Sequence, residues 1–583
     1  IQAWVKLNEL PSVSGRTCTI LRSSLATAPW ENIVVRADSY DRFSMRFTGP
    51  SDNNYAYTTD NLIQANTWYH LVFVISGVGK RPVIYVNNVP YSGTTTQGGN
   101  IWNVTGTTAG YNIGGAYNGV PLSFNGVIDE LCVWGRAVTP EEVSALYNNG
   151  NGLPFDGQIL PSVTPTISIS RTPSITPSIS FSRTPTRTPS LSISRTPSRT
   201  PSITPSSSVL TARYVSSSGS DTNNGLTEST PWRTLDKVNA EFSNLNPGTE
   251  ILLKKGDSFY GTLVITKSGT SGSNSPFVFG TYGDGNDPIL HGFTTITDGW
   301  THVGNNVYSH DIIADEQTNM VLVNGVQVPM GRWPNGTTYR TYESFNGASS
   351  ITDNTLSEET PYNWVGAEVV IRMTYWILGR FTITGHTGNT ISYSGNTIDY
   401  LYNNFGYFIQ NDIRTLDVEN EWYHDHAAGK FYIYGNPAGK TIQIATKTNI
   451  IQNHGGYDYI TLENLSLQGS IGDIISFDGG NWYNAANTII RNCILKFGGS
   501  RGIDIYGSNG FIVDNIIEQC NDNAIHIVSG SNTIVTGNTI TNIGLLLGQS
   551  KRLSANGIYN GGTNSLIDHN IINNIGLNGI TAG

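Results

Sequence analysis

Residues 488–530 read TIIRNCILKFGGSRGIDIYGSNGFIVDNIIEQCNDNAIHIVSG, and the order within this stretch decides the fold of the C-terminal half. Ile489-x-x-Asn492-x-Ile494 returns as Ile512-x-x-Asn515-x-Ile517, as Val535-x-x-Asn538-x-Ile540 and as Ile567-x-x-Asn570-x-Ile572, so the asparagines step by 23, 23 and 32 residues. One turn asparagine in every ~20–50 residues marks a solenoid whose coils stack only on their neighbours. The longer last step predicts a loop inserted near residues 545–554. The four asparagines are expected to be buried turn residues, each bonded to the asparagine of the next coil.

A short apolar–polar–apolar run follows each turn: Ile503-Asp504-Ile505, Ile525-His526-Ile527 and Ile558-Tyr559. In a strand such residues alternate between faces, so the isoleucines point inward and the residue between points out. Stacking then aligns Asp504, His526 and Tyr559 on coils ~4.8 Å apart. In this column Asp504 orients His526, and His526 or Tyr559 serves as base for proton abstraction or as acid for glycosidic cleavage. Arg501, Lys551 and Arg552 would face an anionic sugar nearby. The competing reading is a solvated polar surface. A hydrolase with paired carboxylates needs two acids ~5–9.5 Å apart. Asp473, Asp478, Asp514 and Asp522 are its candidates, though none lies in a distinguishing motif.

The chain has 583 residues, a net charge of −10 and 13% charged residues, with Gly, Trp and Tyr abundant. Such length predicts two or three domains. The thin charge and the aromatic content fit an extracellular or cell-surface β protein that handles carbohydrate. No basic block stands on a globular segment, which argues against nucleic acid as partner, and no apolar run approaches a membrane span. The four cysteines, Cys18, Cys132, Cys493 and Cys520, fall two to each half without metal-ligand spacing, which allows one disulfide per half.

Residues 1–155 alternate apolar and polar residues in short runs, among them Trp68-Tyr-His-Leu-Val-Phe-Val74 and Val83-Ile-Tyr-Val86, and predict an antiparallel sandwich. Thr139-Pro140-Glu141-Glu142 predicts its one helix through a capping box. Trp4, Tyr69, His70, Tyr85 and Trp134 are expected in its packing. The strings AWVKL from Ala3, WYHLVFV from Trp68, IYVNN from Ile84 and FNGVIDELCVWGRAVTPEEV from Phe124 resemble the laminin-G-like, concanavalin-A-like jelly rolls. Asp129 and Glu130 resemble that family's signature acids. No cofactor or metal is identified, and calcium stays open because it requires several oxygen ligands from a rim loop.

Residues 156–209 are a tether in which a strict tetrapeptide runs from Pro161 to Ser208. Proline at every fourth residue favours polyproline II, whose three-residue turn returns to register with the repeat every twelve residues. Ile167, Ile179, Leu191 and Ile203 would line one edge and Arg171, Arg183 and Arg195 another, and both are candidate assembly faces. At ~3.1 Å per residue such a rod reaches on the order of 150 Å. Candidate O-glycosylation sites are Thr164, Ser168, Ser170, Thr172, Ser174, Thr176, Ser178, Ser180, Ser182, Thr184, Thr186, Thr188, Ser190, Ser192, Ser194, Thr196, Ser198, Thr200, Ser202 and Thr204. Pro165, Pro173, Pro177, Pro185, Pro189, Pro197, Pro201 and Pro205 are candidate hydroxyprolines. Asn103, Asn335 and Asn464 stand in N-glycosylation sequons, Asn464 at an expected ladder position. The tether resembles the glycosylated rods of algal surface fibres such as mastigonemes.

From residue 210 to 583 the reading is a right-handed parallel β-helix. RYVSSSGSDTNNGLTESTPWRTLDKV, from Arg213 to Val238, resembles the entry strand and cap of pectate-lyase-like β-helices. Between about 285 and 450, GNNVYS, VNGVQVPMGRWPN and LDVENEWYHDHAAGKFYIY resemble a side module embedded in several carbohydrate-active β-helix enzymes. The jelly roll begins, and the coil ends, inside a repeat pattern.

The fold class expected is therefore all-β: jelly-roll sandwich, polyproline-II-like tether and parallel β-helix. Two functions compete. The tether's register and the lack of a catalytic motif favour a structural glycoprotein of an extracellular fibre, with copies of itself and covalent glycans as partners. The alternative is a secreted modular polysaccharide lyase or glycoside hydrolase whose jelly roll binds extracellular polysaccharide.

Overall fold

The computed structural model describes residues 1–15, 17–25, 33–48, 53–74, 82–91, 108–114, 124–132, 137–150, 212–270, 276–347, 349–374, 377–394, 401–477, 484–550 and 555–582. The tether, with every assembly, O-glycosylation and hydroxyproline position named above, lies outside them, as do Asn103, Trp134, Asp478, Lys551 and Arg552.

Three parallel sheets carry the coils of the C-terminal half. The first runs from Ala212–Val215 to Leu566–Asp568 and the second from Ser258–Tyr260 to Ile571–Ile575. The third stacks Leu263–Val264, Ile451–Gln452, Ile475–Phe477, Ile503–Tyr506, Ile525–Ser529, Ile558–Asn560 and Ile580–Ala582. Like residues stack on like: Ile490, Ile512 and Val535 in the first sheet, Leu495, Ile517 and Ile540 in the second, and Ile503, Ile525 and Ile558 in the third. All nine are fully buried. Branched side chains suit these pleated inner faces, and truncating one of the isoleucines to alanine costs about 2–5 kcal/mol.

The register corrects one turn. Ile490, rather than Ile489, stands beside Ile512, so the residue in line with Asn515 is Cys493 and not Asn492. Asn492 is exposed at φ 52°, sharing the left-handed corner with Asn464 at φ 58°, Asp514 at φ 55° and His569 at φ 50°. Short polar side chains tolerate that conformation best. The ladder itself runs through Asn515, Asn538 and Asn570. Asn515 Nδ2 donates to Asn538 Oδ1 at 2.9 Å, and Asn538 Nδ2 donates to Asn570 Oδ1 at 2.8 Å.

Leu263 of one coil pairs with Ile451 of the next. Between them, residues 293–445 leave the solenoid and build three antiparallel sheets with buried cores of their own, one around Trp364 and Tyr407 and another around Trp422 and Phe431.

Residues 1–150 form two antiparallel sheets. One orders Gly126–Cys132, Gln2–Leu7, Trp68–Val74, Val83–Val86 and Val89–Tyr91; the other holds Thr108–Ile113, Cys18–Leu25, Ile33–Asp38, Arg42–Thr48 and Asn53–Tyr57 in that order. Val5, Leu7, Ile20, Phe43 and Leu71 fill the space between them. The helix is Pro140–Tyr147, and both bonds of its capping box form between Thr139 and Glu142. Tyr69 and His70 are buried, as expected.

Cys18, Cys493 and Cys520 are free thiols. The disulfide allowed in the C-terminal half does not form. Cys493 opens the strand Ile494–Gly498, whereas Cys520 packs beside Gly498 at its far end. Five residues at ~3.3 Å each separate the two beyond the reach of a disulfide.

Candidate functional site: a polar column on the third sheet

The outer face of the third sheet presents Gln452, Ser476, Asp504, His526, Tyr559 and Thr581 in register, one per coil. Asp504, His526 and Tyr559 therefore meet as the alternation predicts. Their surroundings are not those of a solvated surface. Asp504 is 1% exposed, and its Oδ1 lies 2.6 Å from His526 Nδ1 and 2.5 Å from Arg501 Nη1. A carboxylate only accepts, so the shared proton of the Asp504–His526 bond sits on Nδ1, and Nε2 becomes the basic end of the ring. The imidazole stacks on Tyr559 with ring centroids 4.9 Å apart and planes 28° apart. Asp504 Oδ2, Arg501 Nε and Arg501 Nη1 are buried without a hydrogen-bond partner, so the Arg501–Asp504 contact is an ion pair and not a hydrogen bond.

Arg501 departs from its expected role. Its side chain is 5% exposed and ion-paired with Asp504, so it holds the dyad instead of facing a sugar. On the neighbouring coil a second polar group continues the column, with His454 Nε2 3.0 Å from Ser476 Oγ and Gln452 Nε2 2.9 Å from His454 Nδ1.

A second ladder, three residues before each column residue, leads into these strands. It reads Asn449, Asp473, Arg501, Asn523, Asn556 and Asn578. Asn556 Nδ2 donates to Asn523 Oδ1 at 2.9 Å, and Asn449 Nδ2 donates to the Asp473 carbonyl at 2.9 Å. Asp473 keeps the acceptor role, taking the Arg501 backbone N–H at 2.9 Å. Arg501 has no acceptor to offer, and the Asn523 N–H turns to Asp522 Oδ1 at 2.7 Å instead. The ladder is thus broken at the coil that carries Asp504, and it is interrupted again at its last step, where Asn578 Nδ2 donates to Thr581 Oγ1 at 3.1 Å and Thr581 Oγ1 donates to Asn556 Oδ1 at 2.9 Å. Local rules are broken at functional or strained sites, which makes the Asp504 coil a candidate.

Of the other carboxylates, Asp473 and Asp522 are engaged in these turns, with Ser550 Oγ also donating to Asp522 at 3.1 Å. Asp514 sits at the left-handed corner before the second sheet, away from the column. Asn335 is exposed, its Nδ2 donating to Asp417. No group of three or more His, Cys, Asp or Glu converges to hold a metal among the described residues, and no helix among them is long and apolar enough to cross a membrane.

The motif Asn-x-Ile-polar, as in Asn449-Ile-Ile-Gln452, Asn523-Ala-Ile-His526 and Asn556-Gly-Ile-Tyr559, was the available signal for the second ladder. No local pattern announced the His454–Ser476 contact, which joins residues 22 apart.

Residues 1–144 match the family model of the concanavalin A-like lectin/glucanase superfamily, and residues 448–582 that of the right-handed β-helix region. Among curated proteins, a lacto-N-biosidase of Bifidobacterium longum subsp. longum is 36% identical over 83 residues, which is 14% of this chain and 5% of that protein. The chain thus spans about 5% of the length of that relative. Among solved structures, one described as a glycoside hydrolase is 16% identical with a TM-score of 0.42, over 60% of this chain and 77% of that one. A GH136 lacto-N-biosidase from Eubacterium ramulus is 16% identical with a TM-score of 0.27, over 62% of this chain and 55% of the other.

Proposed function

We propose that the protein is a secreted carbohydrate-active enzyme whose β-helix cleaves glycosidic bonds at the Asp504–His526–Tyr559 column. The carrying observation is the buried carboxylate of Asp504, which takes Nδ1 of His526 and a guanidinium on one oxygen. This arrangement fixes the ring and leaves Nε2 to take a proton from, or return it to, a substrate atom lying on the column. Tyr559 offers a hydroxyl as the second proton carrier and a ring face beside the imidazole. The jelly roll holds the polysaccharide. The lacto-N-biosidase relative and the lectin/glucanase family model support this reading better than the fibre reading, which rests on the tether's register and the lack of a catalytic motif.

The test is to incubate the full chain with a panel of neutral and acidic polysaccharides, following reducing ends together with absorbance at 235 nm. New reducing ends alone mean hydrolysis, and an unsaturated product at 235 nm means elimination. Cleavage that survives His526→Ala and Asp504→Asn unchanged would remove the column from the chemistry. Electron microscopy of native material then decides the fibre reading, since a repeating filament with an inert β-helix would restore it.

A further inference from the structure

Deep beneath the insert, Asn319 is fully buried and has no exposed function. Its Nδ2 donates to the Gly499 carbonyl and, at 2.7 Å, to the Gln549 carbonyl. Its own carbonyl accepts from Asn521 Nδ2 at 2.8 Å and from Gln549 Nε2 at 3.2 Å. Gly499 lies five residues before Asp504, Asn521 five before His526, and Gln549 in the longer turn before Tyr559. One residue of the insert therefore ties together the three turns that deliver the three column residues, the Gly499 and Gln549 turns through its side-chain Nδ2 and the Asn521 turn through its backbone carbonyl.

The tie is itself anchored. Arg380 Nη1 donates to Asn319 Oδ1 at 2.9 Å, and its Nη2 pairs with Glu368 at 2.7 Å. Glu368 also accepts from Gln410, which donates to the Gly548 carbonyl at 2.9 Å. On the near side, Gln327 Nε2 donates to Asn521 Oδ1 at 2.7 Å, and the Met330 N–H donates to Gln549 Oε1. On the backbone side, Thr318 Oγ1 donates to the Ala445 carbonyl at 2.8 Å. A fully satisfied buried network of this kind is rigid and specifies one geometry.

We propose that Asn319 is a positioning residue of the column, so that the insert is a working part of the site and not an appended module. This inference rests on the reading of the column as a catalytic site. Sliding one coil against the next would lengthen the Asp504–His526 bond and turn Nε2 away from the substrate. A misplacement of about 1 Å costs on the order of 10²-fold in rate.

The experiment compares Asn319→Asp with wild type in the full chain. The variant is close in shape but loses the two Nδ2 donors. Three quantities are read: thermal unfolding, kcat and KM on the substrate found in the panel, and the pH dependence of His526 modification by diethyl pyrocarbonate, followed by peptide mass spectrometry. The expected result is a cooperative unfolding transition, a kcat lower by about 10²-fold with KM changed less than about threefold, and a displaced His526 modification profile. A folded variant with wild-type kcat, KM and modification profile would overturn the proposal. If Asn319→Asp does not fold, Gln327→Leu, which loosens only the Asn521 turn, is read against the same criteria. Should wild type cleave nothing, the catalytic reading fails. A displaced modification profile in the variant would still uphold the tie between insert and column, and an unchanged one would sink both.

Discussion

The two amide ladders of the β-helix run along the same coils and differ in how they meet the coil that carries Asp504. The ladder before the second sheet passes through Asn515, Asn538 and Asn570 without a break, each side chain meeting the next. The ladder before the third sheet carries Asp473 and then Arg501 where asparagines would stand, and the side-chain contact fails there. Both began from the same requirement, since a buried turn must satisfy its own N–H groups from within the solenoid. The unbroken ladder meets that requirement in the simplest way. The broken one meets it with substitutes, and what it gains is a guanidinium placed under Asp504.

The sharpest way to break this comparison is to disable each ladder in turn. His526→Ala, beside the broken ladder, is expected to lower kcat by about 10²–10⁴-fold with the unfolding midpoint close to wild type. Asn538→Ala, in the unbroken ladder, should do the reverse. Removing its amide strands the Asn515 N–H and takes a donor from the Ile512 carbonyl, for a loss of about 3 kcal/mol in denaturant unfolding, while the folded fraction keeps its kcat. If the two variants behave alike, the ladders do not differ in role.

Repairing the broken ladder sharpens the contrast from the other side. The double variant Arg501→Asn, Asp504→Thr restores an amide to the turn and removes the buried ion pair together, so no charge is left orphaned. Replacing a buried ion pair by well-packed apolar residues of similar volume is often neutral or stabilising by about 1–4 kcal/mol, and the smaller, polar Asn and Thr forgo that gain. The expected outcome is a Tm close to wild type with cleavage at background. Arg501→Asn alone, which leaves Asp504 short of a partner, should instead be destabilised.

The jelly roll gives a third, pH-dependent comparison, because it buries a histidine with no carboxylate beside it. His70 is fully buried, packs against Trp4 at 5.0 Å and has both ring nitrogens without a partner, and burial lowers its pKa to about 4. The unfolded chain takes up that proton near 6.5 and the folded one only near 4. Stability is therefore full above about 6.5 and falls as pH drops from there towards 4, by about 3 kcal/mol in all. Urea unfolding followed by jelly-roll tryptophan fluorescence should show this slope, and His70→Phe should flatten it. Smallest of all is the effect on thiols: burial pushes Cys493 and Cys520 up to about 12. Neither should react with a thiol reagent in the native chain at pH 8, and both should do so in denaturant.

What the sequence made legible follows from what is local. Alternation in Ile503-Asp504-Ile505 and Ile525-His526-Ile527 placed Asp504 beside His526, because a strand's two faces are set by neighbouring residues. The capping box at Thr139 was legible for the same reason. The one-residue slip at Asn492 was not, since Ile489 and Ile490 fit the inward position equally well and only pairing with Ile512 separates them. Arg501 was visible as a cation near the column but not as a buried one, because burial depends on coils above and below it. Asn319 had no signal at all. Its partners in the turns lie 180 to 230 residues away, and a lone asparagine before a strand carries no trace of them.

The pairing of Leu263 with Ile451 carries a consequence for how such proteins change over generations. The coil closes on itself as though residues 293–445 had never been interposed, and Ile525 meets Ile558 just as cleanly across the longer turn at 544–557. A lineage can therefore lengthen a turn, or graft a whole module into one, without renegotiating the register of the coils that follow.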